Sequence, residues 1–151
     1  MNECRTHVGR ELTMMLAGEK PLAMFYVDAD AEHDERVVPE QEFANHVRNG
    51  RFVTSQLVFE AAIDPRTKKP LRIKYVLYAL PSEQWRLESM RLALETLFTM
   101  GGADEGLDRM MGSLLGHTAE EIEVFVRNHR SQYRSFALRH YDEVQGSDKR
   151  L

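Results

Sequence analysis

Two strand-like segments separated by a charged turn constrain the fold of this chain most strongly. Segment 51–60 (RFVTSQLVFE) is rich in β-branched and aromatic residues, and segment 71–80 (LRIKYVLYAL) alternates apolar and polar side chains where it begins. The connection between them, DPRTKKP, combines proline with charge, a composition typical of turns. The pattern therefore predicts a long antiparallel hairpin over 51–80.

The first half of the chain also contains a third candidate strand and two short helices. Segment 22–27 (LAMFYV) is apolar at every position, and its shortness and aromatic content favour a strand covered on both faces. Apolar residues recur at helical spacing in 9–17, which Gly18 follows. Segment 39–50 starts with proline and acids and ends in Asn-Gly, which predicts a second short helix.

From Pro81 onward every segment has a helical pattern. Ser82 is a candidate N-cap for a helix that ends at the glycine pair 101–102, and Asp104 is a candidate N-cap for the next helix. Thr118 and Glu121 form a capping-box pattern that opens a last helix reaching about residue 143. Strands first and helices second predict an α+β fold. We expect a small antiparallel sheet of about three strands, packed on one face by the helices of the second half.

Length and composition indicate one domain over 1–151, with loose ends near 1–8 and 145–151. Cys4 is the only cysteine, so no disulfide can form within the chain. The N-terminus has no apolar leader pattern, and the longest apolar run is far shorter than the ~20 residues of a membrane helix. We therefore expect a cytoplasmic protein without a membrane partner. No cofactor-binding motif occurs, so no cofactor is predicted.

The acidic stretch DADAEHDE at 28–35 is a candidate site with three interpretations. It could be a solvated connection, a metal or acid–base site, or an acidic contact surface, and we favour the solvated connection. The spacing does not match a calcium loop, because the sixth position is His33 and the twelfth is Pro39. If a metal binds here, its ligands come from Asp28, Asp30, Glu32, His33 and Asp34.

The last helix carries an apolar and aromatic stripe whose steps alternate between four and three residues, as in a coiled-coil seam. Such a stripe either packs on the chain's own core or binds a partner, and the length of the helix leaves room for both. The residues of this interaction seam are Ile122, Phe125, Val126, His129, Tyr133, Phe136 and His140.

A basic flank of Arg127, Arg130 and Arg134 borders the interaction seam. Arginines here suit the polar rim of a protein contact or, alternatively, a phosphate-binding surface. The net charge of −4 argues against nucleic acid as a general partner. The sequence thus favours a non-catalytic interaction or regulatory module, with a protein partner or a second copy. The alternatives are a small-molecule or metal-dependent enzyme using 28–35, and a nucleic-acid accessory factor using the basic flank.

Overall fold

Three strands and five α-helices make up the computed structural model, which describes residues 7–32, 35–63, 66–131 and 133. The strands are β1 (Leu22–Asp28), β2 (Val53–Ile63) and β3 (Pro70–Ala79). The helices are α1 (Glu11–Leu16), α2 (Glu40–Arg48), α3 (Trp85–Met100), α4 (Glu105–Leu114) and α5, whose described part covers 119–131 and 133. Strands lie in the first half and the longer helices in the second, which confirms the predicted α+β class.

The sheet is antiparallel with the strand order β1-β3-β2. β3 pairs with β2 from Val53–Ala79 to Phe59–Ile73, so the predicted hairpin is confirmed. The other edge of β3 pairs with β1. As the central strand, β3 buries five consecutive residues, Tyr75 to Ala79, because both of its faces are covered.

The second-half helices α3 and α4 pack on one face of the sheet, as expected, and the N-terminal helices α1 and α2 cover the other face. On the first face, α3 and α4 bury a core with Leu22, Tyr75, Leu77, Ala79, Met90, Ala93, Leu94, Leu107 and Leu114. On the second face, α1 and α2 help to bury a separate core with Met15, Ala23, Val27, Val38, Phe43, Phe52, Val76 and Tyr78. The sequence did not predict that α1 and α2 cover the second face, because their few apolar residues form no long stripe.

The helix boundaries follow the capping chemistry in two of three predicted cases. Asp104 Oδ1 accepts a hydrogen bond from the Leu107 amide at 2.7 Å, and Thr118 and Glu121 exchange the reciprocal bonds of a capping box. Ser82 was wrongly predicted as an N-cap. It lies in a 3₁₀ turn over Pro81–Glu83, and α3 begins at Trp85 with no side-chain cap.

α5 lies against α4 at a contact that depends on glycine. A Cβ added at Gly112 would lie 2.9 Å from Ile122 Cγ1, closer than side chains normally approach. Val126, one turn further along α5, has no exposed surface. Because Gly112 has no side chain, α4 and α5 can approach closely enough to pack against each other.

Candidate functional site

The described part of the acidic loop does not form a converging ligand set. Asp28 Oδ1 accepts a hydrogen bond from the Asp30 amide at 2.9 Å, and Asp30 forms an ion pair with Arg72 at 2.9 Å. Glu32 is exposed, while His33 and Asp34 lie outside the described residues. Among the residues that the structure describes, 28–32 contributes to no group of three potential metal ligands. The described contacts are thus a local turn hydrogen bond and a surface ion pair, and the favoured solvated connection stays a prediction.

The first half of the interaction seam faces the chain's own α4. Val126 is buried, Ile122 packs over Gly112, and the Tyr133 hydroxyl donates a hydrogen bond to the Asp108 carboxylate. Burial raises the pKa of Asp108, so this carboxylate accepts the bond in a partly desolvated position. Phe136 and His140 lie outside the described residues, and their proposed contact with a partner stays a prediction.

The remaining seam and flank residues make local contacts. His129 stacks on Phe125 with ring centroids 4.0 Å apart, and its Nδ1 lies 2.8 Å from the Phe125 carbonyl oxygen. Arg130 Nε donates to Glu105 Oε1 at 2.8 Å. Arg127 is exposed, and Arg134 lies outside the described residues. Because a carboxylate holds Arg130, the described flank does not present a continuous basic surface.

An uncharged face of α3 points away from the core. Its inner residues Met90 and Leu94 are fully buried in the core beneath the sheet. On the opposite side, Trp85 is 55% exposed and Leu92 is 52% exposed. The steps along this side alternate between four and three residues and include no charge. We call it the α3 outer face; its residues are Trp85, Ser89, Leu92, Thr96 and Thr99.

Trp85 is held in place although its ring is exposed. Its indole nitrogen donates to Glu83 Oε2 at 3.0 Å, and the Arg86 guanidinium lies 4.7 Å from the ring centroid. Arg86 is in turn fixed by the carbonyl oxygens of Ser113 and Leu114, each at 3.1 Å. A fixed aromatic ring loses little conformational entropy on binding, which is a property of interface hot spots.

A second feature, which the sequence did not reveal, is a cluster of polar side chains from two distant segments. His7 precedes α1, His117 precedes α5, and Glu121 lies in the first turn of α5. The two imidazole rings stack with centroids 4.0 Å apart, and Glu121 Oε2 lies 3.4 Å from His117 Nδ1 and 3.8 Å from His7 Nε2. We call His7, His117 and Glu121 the His–Glu cluster.

Lys20 adjoins the His–Glu cluster from its buried side. Its Nζ lies 2.9 Å from His7 Nδ1 and donates to the Leu115 carbonyl oxygen at 2.6 Å. Burial, more than any neighbouring charge, lowers the pKa of Lys20 to about 8 and that of His7 to about 4. Burial also lowers the pKa of His117. Both imidazoles are therefore neutral bases at neutral pH.

A glycine turn brings the two ends of the cluster together. Gly116 has φ +82°, and a Cβ there would lie 2.4 Å from Pro21 Cδ. The left-handed turn after α4 thus sits directly against the residue that follows Lys20. This contact places His117 beside the N-terminal segment and explains how residues separated by more than a hundred positions meet.

One surface groove of about 390 Å³ lies between α2 and the edge strand β2. Its floor includes Tyr78, and its walls include Arg48 and Gln56. The groove is open and carries neither the exposed aromatic of the α3 outer face nor the ligand convergence of the His–Glu cluster. It therefore adds no separate chemistry.

No family model, curated protein or solved structure matches the chain. Among the described residues, no helix has both the length and the apolarity needed to cross a membrane. The function must therefore be argued from the geometry above.

Proposed function

We propose that this protein is a non-catalytic interaction module that forms a homodimer through the α3 outer face. The observation that carries the proposal is the exposure of Trp85 and Leu92 on a face without charge, opposite a fully buried one. Trp85 and Leu92 are the two large apolar side chains of this face, and the other three residues carry hydroxyl groups. Exposed large apolar side chains rimmed by polar ones are typical of protein contact surfaces. Within the described residues, only the inner side of α3 is covered.

A second copy of the chain fits this face because the face is self-complementary in the antiparallel direction. A two-fold axis at Leu92 would place the two Leu92 side chains together. It would place Trp85 of each copy, seven residues before the axis, against Thr99 of the other, seven residues after it. This is an isologous contact, in which each protomer contributes the same patch.

The charges beside the α3 outer face are compatible with this approach. Arg91 forms ion pairs with both Glu88 and Glu95 on the same helix. The flank therefore brings one net negative charge per copy rather than a row of unpaired charges. Stable interfaces bury about 800 Å² per partner, more than one line of helix residues supplies. We accordingly expect a weak dimer with micromolar affinity.

We further propose that the protein is cytoplasmic, as expected from the sequence, and that nucleic acid is not its partner. A nucleic-acid surface would use Arg127 and Arg130, but Glu105 engages Arg130 and the chain carries a net charge of −4. We do not propose an enzymatic role, because the carboxylates of the acidic loop, on which that alternative depended, do not converge in the described part of the loop.

Sedimentation velocity across a range of concentrations tests the proposal. Leu92→Glu would bury a carboxylate at the two-fold axis, and we expect a folded monomer with at least tenfold weaker association. Met110→Glu is the matched control, because Met110 on α4 is 53% exposed but lies outside the α3 outer face. A wild type that stays monomeric at high micromolar concentration, or a Leu92→Glu variant that associates like the wild type, would refute the proposal.

A further inference from the structure

The His–Glu cluster has the composition and the spacing of a metal-binding site, and this feature is independent of the proposed dimer. One ligand atom from each of His7, His117 and Glu121 lies within 4.8 Å of the others. Two imidazoles and one carboxylate form a ligand set that binds zinc and related transition metals. We propose that these three residues bind one divalent transition-metal ion.

The carboxylate oxygen of Glu121 lies at about the separation of neighbouring zinc ligands from one nitrogen of each ring. In a tetrahedral zinc site, with ligand atoms about 2.0–2.1 Å from the ion, neighbouring ligand atoms are about 3.4 Å apart. Glu121 Oε2 is already 3.4 Å from His117 Nδ1 and 3.8 Å from His7 Nε2. The two rings are stacked with centroids 4.0 Å apart and 10° between their planes, so the rings would have to tilt apart before both ring nitrogens pointed at one ion.

The metal-free contacts of the cluster are long for hydrogen bonds. The His7 side chain is 9% exposed, yet its Nε2 lies 3.8 Å from the carboxylate oxygen that it faces. A hydrogen bond between these atoms would be about 2.7–3.2 Å long. The separations between the Glu121 oxygen and the two ring nitrogens are therefore closer to those of neighbouring ligands of one ion than to those of short hydrogen bonds.

Neighbouring groups hold the ligands in position. Glu121 Oε1 accepts a hydrogen bond from the Thr118 amide at 3.0 Å, which turns Oε2 toward both rings. Lys20 Nζ contacts Nδ1 of His7, so Nε2 is the ring nitrogen that faces Glu121. An ion bound to Nε2 would leave the ring proton on Nδ1, and Lys20 Nζ would then have to be uncharged to accept it, or turn away. The bond from the Thr118 amide to the non-ligating oxygen of Glu121 orients this carboxylate, as such contacts do in metal sites.

The charges around the cluster indicate an affinity in the micromolar class. Glu121 supplies one negative charge, whereas Lys20 and Arg10 are positive groups close enough to affect His7. Lys20 is buried and Arg10 is exposed, and both positive charges oppose the binding of a divalent ion and limit its affinity. Three protein ligands leave a fourth tetrahedral position for water, on the side where the His117 and Glu121 side chains are 20% and 17% exposed.

Calorimetric titration of the full chain with Zn²⁺ tests the proposal. The Cys4→Ser background removes the only thiol, which could otherwise bind zinc by itself. We expect one zinc ion per chain with micromolar affinity. Affinity should fall at least tenfold in His117→Gln and in Glu121→Gln, and glutamine at 121 keeps the capping box. Ca²⁺ and Mg²⁺ should not compete, because imidazoles do not suit these ions.

His46→Gln is the matched control, since His46 lies on α2 and outside the cluster. Circular dichroism checks that each variant is folded. Titration with Co²⁺ gives a second readout, because coordination by imidazoles produces visible absorption bands that the two cluster variants should lose. No saturable zinc binding, or binding that both cluster variants retain, would overturn the proposal.

Discussion

Acid should destabilise the metal-free protein through His7, and the size of the effect can be worked out from its burial. His7 is 7% exposed, and its pKa falls from 6.5 to about 4 on folding, chiefly because burial disfavours the imidazolium. Between these two values the unfolded chain binds a proton that the folded chain does not. The free energy of unfolding therefore decreases as the pH falls from 6.5 toward 4.

The contribution at pH 4.5 follows from the two pKa values. Each pKa unit corresponds to about 1.4 kcal/mol, so the imidazole of His7 should cost about 2–3 kcal/mol of stability at pH 4.5 relative to pH 7.5. Carboxylates also titrate in this range. The useful quantity is thus the difference between wild type and His7→Gln, in which the carboxylate contributions largely cancel.

Urea unfolding at both pH values, in the presence of a chelator, measures this difference. We expect the wild type to lose about 2–3 kcal/mol more than His7→Gln between pH 7.5 and pH 4.5. His46→Gln should follow the wild type. Equal losses in the wild type and His7→Gln would refute the argument that His7 is buried as a neutral base.

Three further perturbations have expected outcomes. Gly116→Ala should lower the free energy of unfolding by about 2–4 kcal/mol, because it adds an atom against Pro21 at a left-handed φ. Gly50 has a similar left-handed φ but lies in open space, so Gly50→Ala should lower the free energy of unfolding by only about 1–2 kcal/mol in the same denaturation assay. Tyr133→Phe should cost about 1 kcal/mol by thermal unfolding, since it removes the bond to a half-buried carboxylate, and Tyr133→Glu should cost more through repulsion. If the acidic loop is only solvated, adding Ca²⁺ or Mg²⁺ should leave the melting temperature of the wild type unchanged. The same should hold for a variant that combines Asp28→Asn with Asp30→Asn. A saturable rise in melting temperature that this variant loses would contradict that reading of the loop.

The fold could be predicted from the sequence where local patterns agree with tertiary packing. The hairpin was predictable because β2 and β3 alternate apolar residues that the sheet then buries on the α3 side. The capping signals at Asp104 and Thr118 were predictable because they involve contacts over three residues. Ser82 has the same chemistry, but Pro81 at the start of a 3₁₀ turn moved the helix start to Trp85.

The candidate sites were harder to predict because they depend on long-range contacts. His7 and His117 carry no spacing signal, since they meet only through the Gly116–Pro21 contact and the docking of α5. The exposed position of Trp85 was missed for a different reason. Tryptophan is a residue type that is usually buried, and the structure shows that Trp85 lies on the side of α3 opposite Met90 and Leu94, with half of its surface exposed.

The fluorescence of Trp85 gives the most direct test of the proposed dimer, because it is the only tryptophan in the chain and lies on the α3 outer face. Dimerisation through this face would remove the half-exposed indole from water. We predict that its emission maximum shifts to shorter wavelength as the concentration rises from low to high micromolar, with a midpoint that matches the sedimentation data, and that Leu92→Glu abolishes the shift. An emission maximum that stays constant over this range in the wild type would contradict the account, whether the indole remains in water or is covered by the same chain.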